Sequence, residues 1–93
     1  LNKPTVKLTA GKKKMTVKWN RISGATGYKI YRSTKKSSGY KCVKTVTKSS
    51  TTSYMNKSLK KGTKYYYKVR AYRKSGSKYA YSSYSSVRYT KAK

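Results

Sequence analysis

The sequence predicts an all-β protein, a seven-stranded antiparallel sandwich of two sheets, on three observations. Apolar residues recur at every second position in short runs, which gives an extended strand one apolar face and one polar face. Glycine-, serine- and threonine-rich turns separate these runs at roughly even spacing. No segment carries an apolar stripe at the 3.6-residue helical period, and β-branched or aromatic side chains recur in every run.

Taken in order, Leu1 to Pro4 reads as a leading linker, and Thr5-Val6-Lys7-Leu8-Thr9 alternates as a first strand before an Ala10-Gly11-Lys12-Lys13 turn. The second strand puts Met15, Val17 and Trp19 on one face and Thr16, Lys18 and Asn20 on the other, with Trp19 expected at the centre of the core. Ile22 to Gly27, with two glycines among small residues, reads as a loop crossing between sheets. The third strand points Tyr28 and Ile30 inward and Lys29 and Tyr31 outward, then runs into the polar stretch Ser33 to Gly39. From Tyr40 to Val46 the apolar residues Tyr40, Val43 and Val46 are spaced by three, which predicts a bulge in a short strand. Lys48 to Thr52 is a turn, and Thr52 to Asn56 a short strand that presents Tyr54 to the core.

The stretch Leu59 to Tyr72 organises the rest. Lys60-Lys61-Gly62-Thr63 forms a tight corner, where Gly62 can take a positive φ that branched residues resist. Tyr65, Tyr67, Val69 and Ala71 then face the core, while Tyr66, Lys68, Arg70 and Tyr72 face water. Arg73 to Ser77 is a hairpin turn. The last strand, Lys78 to Thr90, carries tyrosines at 79, 81, 84 and 89 whose parity changes between Tyr81 and Tyr84, so a break or bulge is expected there. The tail Lys91-Ala92-Lys93 is expected to fray. The predicted buried set is Val6, Leu8, Met15, Val17, Trp19, Tyr28, Ile30, Val43, Tyr54, Leu59, Tyr65, Tyr67, Val69 and Val87.

At 93 residues the chain has room for one modest core, which predicts a single domain over residues 1–93. Its apolar set is phenolic, with 12 Tyr, one Trp and no Phe. The charge balance departs furthest from an ordinary domain: 26 Lys and Arg stand against no Asp, Glu or His, for a net charge of +26. An average composition would supply on the order of ten acidic residues. No side-chain salt bridge can therefore form, and acid denaturation through paired carboxylates is closed. Catalysis is disfavoured, because general acid–base work near neutrality draws on His, Asp or Glu and a serine or cysteine would lack a partner to activate it. Metal and cofactor sites are not expected either, since hard cations need carboxylates and zinc needs several His or Cys ligands. The lone Cys42 forbids an internal disulfide and reads as a small strand filler, or else as a handle for intermolecular pairing. No apolar run approaches the ~20 residues of a membrane-spanning helix, so a mature or excised piece is expected.

Leu59, Gly62, Thr63, Tyr65, Val69 and Ala71 spell the pattern L-x-x-G-T-x-Y-x-x-x-V-x-A, which resembles the second half of a fibronectin type III domain. Lys14 to Trp19 resembles that family's strand B with its tryptophan, Gly27 to Ser33 its strand C, and Ser23 to Tyr28 the wording of bacterial cell-surface members. The resemblance implies immunoglobulin-like topology with sheets A-B-E and C′-C-F-G. It implies structural roles for Trp19, Leu59 and Tyr65, the tyrosine hydroxyl bonding backbone near Leu59 to pin the corner. Where the family often carries an acid, this chain has Lys64 and Asn56, and the 73–77 loop has no aspartate to complete an Arg-Gly-Asp adhesion tripeptide. Asn56-Lys57-Ser58 also fits the N-glycosylation sequon.

The outward face of strands C, F and G is expected to combine Lys29, Lys68 and Arg70 with Tyr31, Tyr66 and Tyr72. Such a face suits anionic polymers (nucleic acid, sulfated glycans such as heparin, teichoic acid) held by non-specific electrostatics, with bases stacking on the rings. Two functional readings stand. One is a monomeric, non-catalytic spacer or adhesion module of a bacterial surface protein, placed outside the cell. The other is an engineered, supercharged or reduced-alphabet scaffold of the same fold.

Self-repulsion at +26 should make stability depend on counterions. The melting temperature is therefore expected to rise from low salt to sulfate buffer, and a midpoint that stays put in a thermal scan would contradict this.

Overall fold

The computed structural model describes all 93 residues. In chain order the strands are β1 (Val6–Gly11), β2 (Lys14–Trp19), β3 (Gly27–Ser33), β4 (Lys41–Val46), β5 (Ser53–Asn56), β6 (Lys64–Ser75), β7 (Lys78–Tyr81) and β8 (Arg88–Lys91). One sheet has the order β1-β2-β5; the other has β4-β3-β6-β7, with β8 also pairing to β6, and all pairs are antiparallel. With β7 and β8 as two halves of one expected strand, this is the predicted A-B-E and C′-C-F-G division.

Alternation sets the packing. Met15, Val17 and Trp19 of β2 turn inward, as do Tyr28 and Ile30 of β3 and Tyr65, Tyr67, Val69 and Ala71 of β6, all in one core cluster. Burying a side chain such as Ile30 or Val69 is worth about 1.5–3 kcal/mol. Trp19 packs on Tyr28 with ring centroids 5.4 Å apart. Tyr28 is fully buried yet polar at its tip; its hydroxyl accepts from Ile22 N at 3.0 Å and donates to Ser49 O at 2.8 Å, which closes the 22–27 loop over the core. The expected bulge falls at Val43, skipped where Ile30 pairs with Lys44 and Tyr31 with Cys42.

Several expectations change. The turn after β1 is shorter than predicted, because Ala10 and Gly11 pair with Met15 and Lys14 and only Lys12 and Lys13 remain to reverse the chain. Lys13 takes a left-handed φ of 54°, held by two long-range bonds: its N–H donates to Lys93 O at 2.6 Å and its carbonyl accepts from Leu59 N at 3.0 Å. The tail is consequently not frayed. Ala92 is buried, its N–H donates to Thr63 O at 3.1 Å, its carbonyl accepts from Gly62 N at 2.8 Å, and Lys93 N donates to Gly11 O at 3.1 Å. Val87, Val43, Leu8 and Tyr54 are only half-buried, whereas Pro4, Ile22 and Val46 are buried though absent from the predicted set. Val87 stays at the rim because it lies on the step between β7 and β8 rather than within a paired strand.

That step has a defined construction. β7 pairs with Tyr72 to Ser75 and β8 with Lys64 to Tyr67, so the middle of β6 would face an unpaired gap. Two serines fill it. Ser82 N donates to Ala71 O at 2.9 Å while its Oγ accepts from Ala71 N at 2.9 Å. Ser85 repeats this on Val69, with its N–H donating at 2.8 Å and its Oγ accepting at 2.9 Å. Three residues of chain thus span two of β6, and the extra residue is the parity change seen in the tyrosine spacing.

Replacing Ser85 with Ala would leave the buried Val69 N–H without an acceptor. We expect a loss of ~1–3 kcal/mol, read as a melting-temperature drop of about 4–8 °C per kcal/mol. Ser83→Ala at the exposed neighbour should stay within about 0.5 kcal/mol. Equal midpoints for the two variants would refute the stitching role.

Candidate functional site

The outer face of the larger sheet is built by β3 and β6 in register. Lys29 lies opposite Arg70, Tyr31 opposite Lys68, and Ser33 opposite Tyr66. Like charges directly across an antiparallel pair repel, so Lys29 and Arg70 form a conflict that no carboxylate in this chain can relieve. A ring resolves it. The Tyr81 ring takes the Arg70 guanidinium 3.9 Å from its centroid and the Lys29 ammonium at 5.6 Å. The negative π-face attracts both cations without neutralising either.

The pattern continues along the sheet. The Lys68 ammonium lies 3.9 Å from the Tyr84 centroid and 4.4 Å from that of Tyr40. Arg70 is also 4.8 Å from Tyr84, and its Nη2 donates to the Tyr31 hydroxyl at 3.0 Å. Tyr84 meets Tyr31 edge-on, with centroids 5.3 Å apart. Nearer β8, Tyr66 packs on Tyr89 at 5.2 Å, and the Lys64 ammonium lies 4.9 Å from the Tyr89 ring. Burial raises the Tyr40 phenol pKa, and the neighbouring Tyr66 adds to the rise.

Of the predicted site residues, Lys29, Tyr31, Tyr66, Lys68 and Arg70 share this face, half-buried. Tyr72 does not. It is on the expected side of β6 but only 4% exposed, because its cross-strand partner is Gly27. A Cβ there would run into the Val46 carbonyl and the Tyr72 hydroxyl; its absence leaves a slot for the phenol, which donates to Val46 O at 3.3 Å. Tyr72 is also flanked by Tyr79, at 5.9 Å between centroids. Residue-by-residue reading missed Tyr40, Tyr81 and Tyr84. The tyrosine spacing was visible, but only the serine step decides that Tyr81 and Tyr84, of opposite parity, reach the same face.

On the inner side, Leu59 and Trp19 are buried, and Tyr65 accepts from Lys60 N at 2.9 Å, one residue past Leu59. Asn56, at the family's acidic position, is 7% exposed; its Oδ1 accepts from the Tyr67 hydroxyl at 2.7 Å and from Arg32 Nη1 at 2.8 Å. The Asn56-Lys57-Ser58 sequon therefore begins on a buried asparagine at the end of β5. The largest depression, about 440 Å³, is lined by Thr5, Lys7, Lys18, Trp19 and Asn20. No helix is long and apolar enough to cross a membrane.

Fold and face together define an immunoglobulin-like β-sandwich module. The fibronectin type III family model matches residues 2–88, and the chain belongs to that family, whose domains are generally non-catalytic modules of cell-surface and other proteins. An Fn3-like protein from Clostridium thermocellum is similar at 28% identity and a TM-score of 0.77, with 92% of this chain and 86% of that one covered. A β-1,2-glucanase from Parabacteroides distasonis is similar at 25% identity and a TM-score of 0.85, over 99% of this chain but only 13% of the glucanase chain. The fibronectin type III domain of human fibronectin type III domain containing protein 3 shares the fold at 24% identity and a TM-score of 0.75, with 97% and 84% covered. No curated protein matches the chain.

Burial pushes the Tyr67 phenol well above the ordinary phenolic range, against the opposing charge of Arg32. A raised folded pKa favours the protonated native state, so this contribution is complete below about pH 10 and is lost as pH climbs through the folded value. Tyr67→Phe should cost about 1 kcal/mol at neutral pH. The gap to wild type in thermal melts should then narrow above about pH 10. A gap that is constant up to about pH 12 would contradict this assignment.

Proposed function

We propose that this chain is a non-catalytic, strongly basic fibronectin type III module. It serves as a spacer or adhesion segment of a bacterial surface protein, outside the cell, and binds polyanions by electrostatics without sequence specificity. The observation that carries this reading is a net charge of +26 with no side-chain carboxylate, displayed on a rigid sandwich. Each bound phosphate or sulfate releases condensed counterions from the polymer, so most of the affinity follows from charge. The same charge opposes self-association and favours a monomer. The similarity to the Clostridium thermocellum Fn3-like protein supports the bacterial setting.

The test is a titration of the protein with heparin and with several unrelated DNA duplexes across salt. We expect affinity for both to fall by about 10³-fold or more between roughly 50 and 200 mM salt, with the duplexes indistinguishable from one another. A salt-insensitive complex that selects one duplex would sink the proposal.

A further inference from the structure

The lysines of this chain are not equivalent as ligands for an anion. Most, such as Lys12 and Lys57, are exposed side chains with no ring beside them, and binding must first immobilise each one. Lys68 and Arg70 are already immobilised. Tyr84 contributes one ring to both, Tyr40 flanks Lys68, and Tyr81 and Tyr31 flank Arg70. In an ordinary domain such a clamp would be a carboxylate, which would quench the charge as it fixed the side chain. A ring quadrupole fixes the side chain and leaves the full positive charge available. Arg70 moreover keeps a buried Nε without any hydrogen-bond partner.

We propose that Lys68 and Arg70, held by Tyr84, form a preorganised docking point for the pendant sulfate groups of a sulfated polysaccharide. This inference rests on the polyanion reading above and adds a position and a ligand chemistry to it. The cations are half-buried, while Tyr81 and Tyr84 stand 42% and 37% exposed around them. A sulfate ester stands out from its sugar ring on a single oxygen and offers three terminal oxygens to the two cations. A phosphodiester within a nucleic-acid backbone, flanked by its own sugars and bases, approaches less closely. Tyr81 and Tyr84 already carry the protein's own cations, Tyr66 packs on Tyr89 and Tyr72 is buried, which leaves fewer ring faces free to stack bases.

The experiment compares variants that leave charge unchanged. Wild type, Tyr84→Ala and Tyr84→Phe are titrated with a size-defined heparin oligosaccharide and with poly(dT) of matched charge at about 0.15 M salt, after circular dichroism has confirmed folding. Tyr84→Ala should weaken heparin binding about fivefold or more through lost preorganisation, while Tyr84→Phe, which keeps the π-face, stays within about twofold. Lys68→Ala should weaken it more than Lys12→Ala or Lys57→Ala, although each removes one charge. Heparin should also bind more tightly than poly(dT). Heparin binding that Tyr84→Ala leaves unchanged, or tighter binding of poly(dT), overturns this inference alone. Absence of any heparin binding by wild type overturns it together with the polyanion reading.

Discussion

Without carboxylates, every cation of this chain must be accommodated by water, by a backbone or side-chain oxygen, or by an aromatic face. On the outer sheet the tyrosines assume this task. Arg70 and Lys29 occupy directly opposed positions and share the Tyr81 ring, and Lys68 lies between Tyr40 and Tyr84. The same constraint appears inside, where Arg32 is held by an amide oxygen of Asn56 and sits 5.5 Å from the Tyr65 ring. Neutral acceptors and ring quadrupoles position cations without cancelling them, so the fold closes while its exterior remains fully charged.

Strand β6 carries this arrangement because both of its faces and both of its edges are in use. Its inner residues supply core, its outer residues supply Lys68 and Arg70, one edge pairs with β3, and the other is shared by β7, the two serines and β8. The serines link packing to the candidate site. By covering two residues of β6 with three of their own chain, they hold the loop that delivers Tyr84 over Lys68 and Arg70. The chain end is tied in by the same economy of backbone bonds, where Lys13, Gly11, Gly62 and Thr63 all engage residues 92 and 93.

Period-two alternation in Met15, Val17 and Trp19, and again in Tyr65, Tyr67, Val69 and Ala71, was enough to place these residues in the core. Alternation is local, so it is legible without partners. Burial of Tyr72 was not legible, since the slot belongs to Gly27, 45 residues away in sequence but directly opposite in the sheet. The order of the tail likewise depends on carbonyls and amides of residues 11, 13, 62 and 63, and three residues reading Lys-Ala-Lys contain no sign of them. For the candidate face, five of six expected residues were readable from strand parity, while Tyr40, Tyr81 and Tyr84 required knowledge of how loops settle onto it.

The residues alone determined most of the strands and the all-cationic exterior, because side-chain period and charge are properties of neighbours along the chain, whereas the division into two sheets came from the family resemblance. Only the tertiary structure decided which rings meet which cations and which phenol disappears from the surface. Those outcomes turn on cross-strand register and on a three-for-two serine step, and both arise between segments that are distant in sequence.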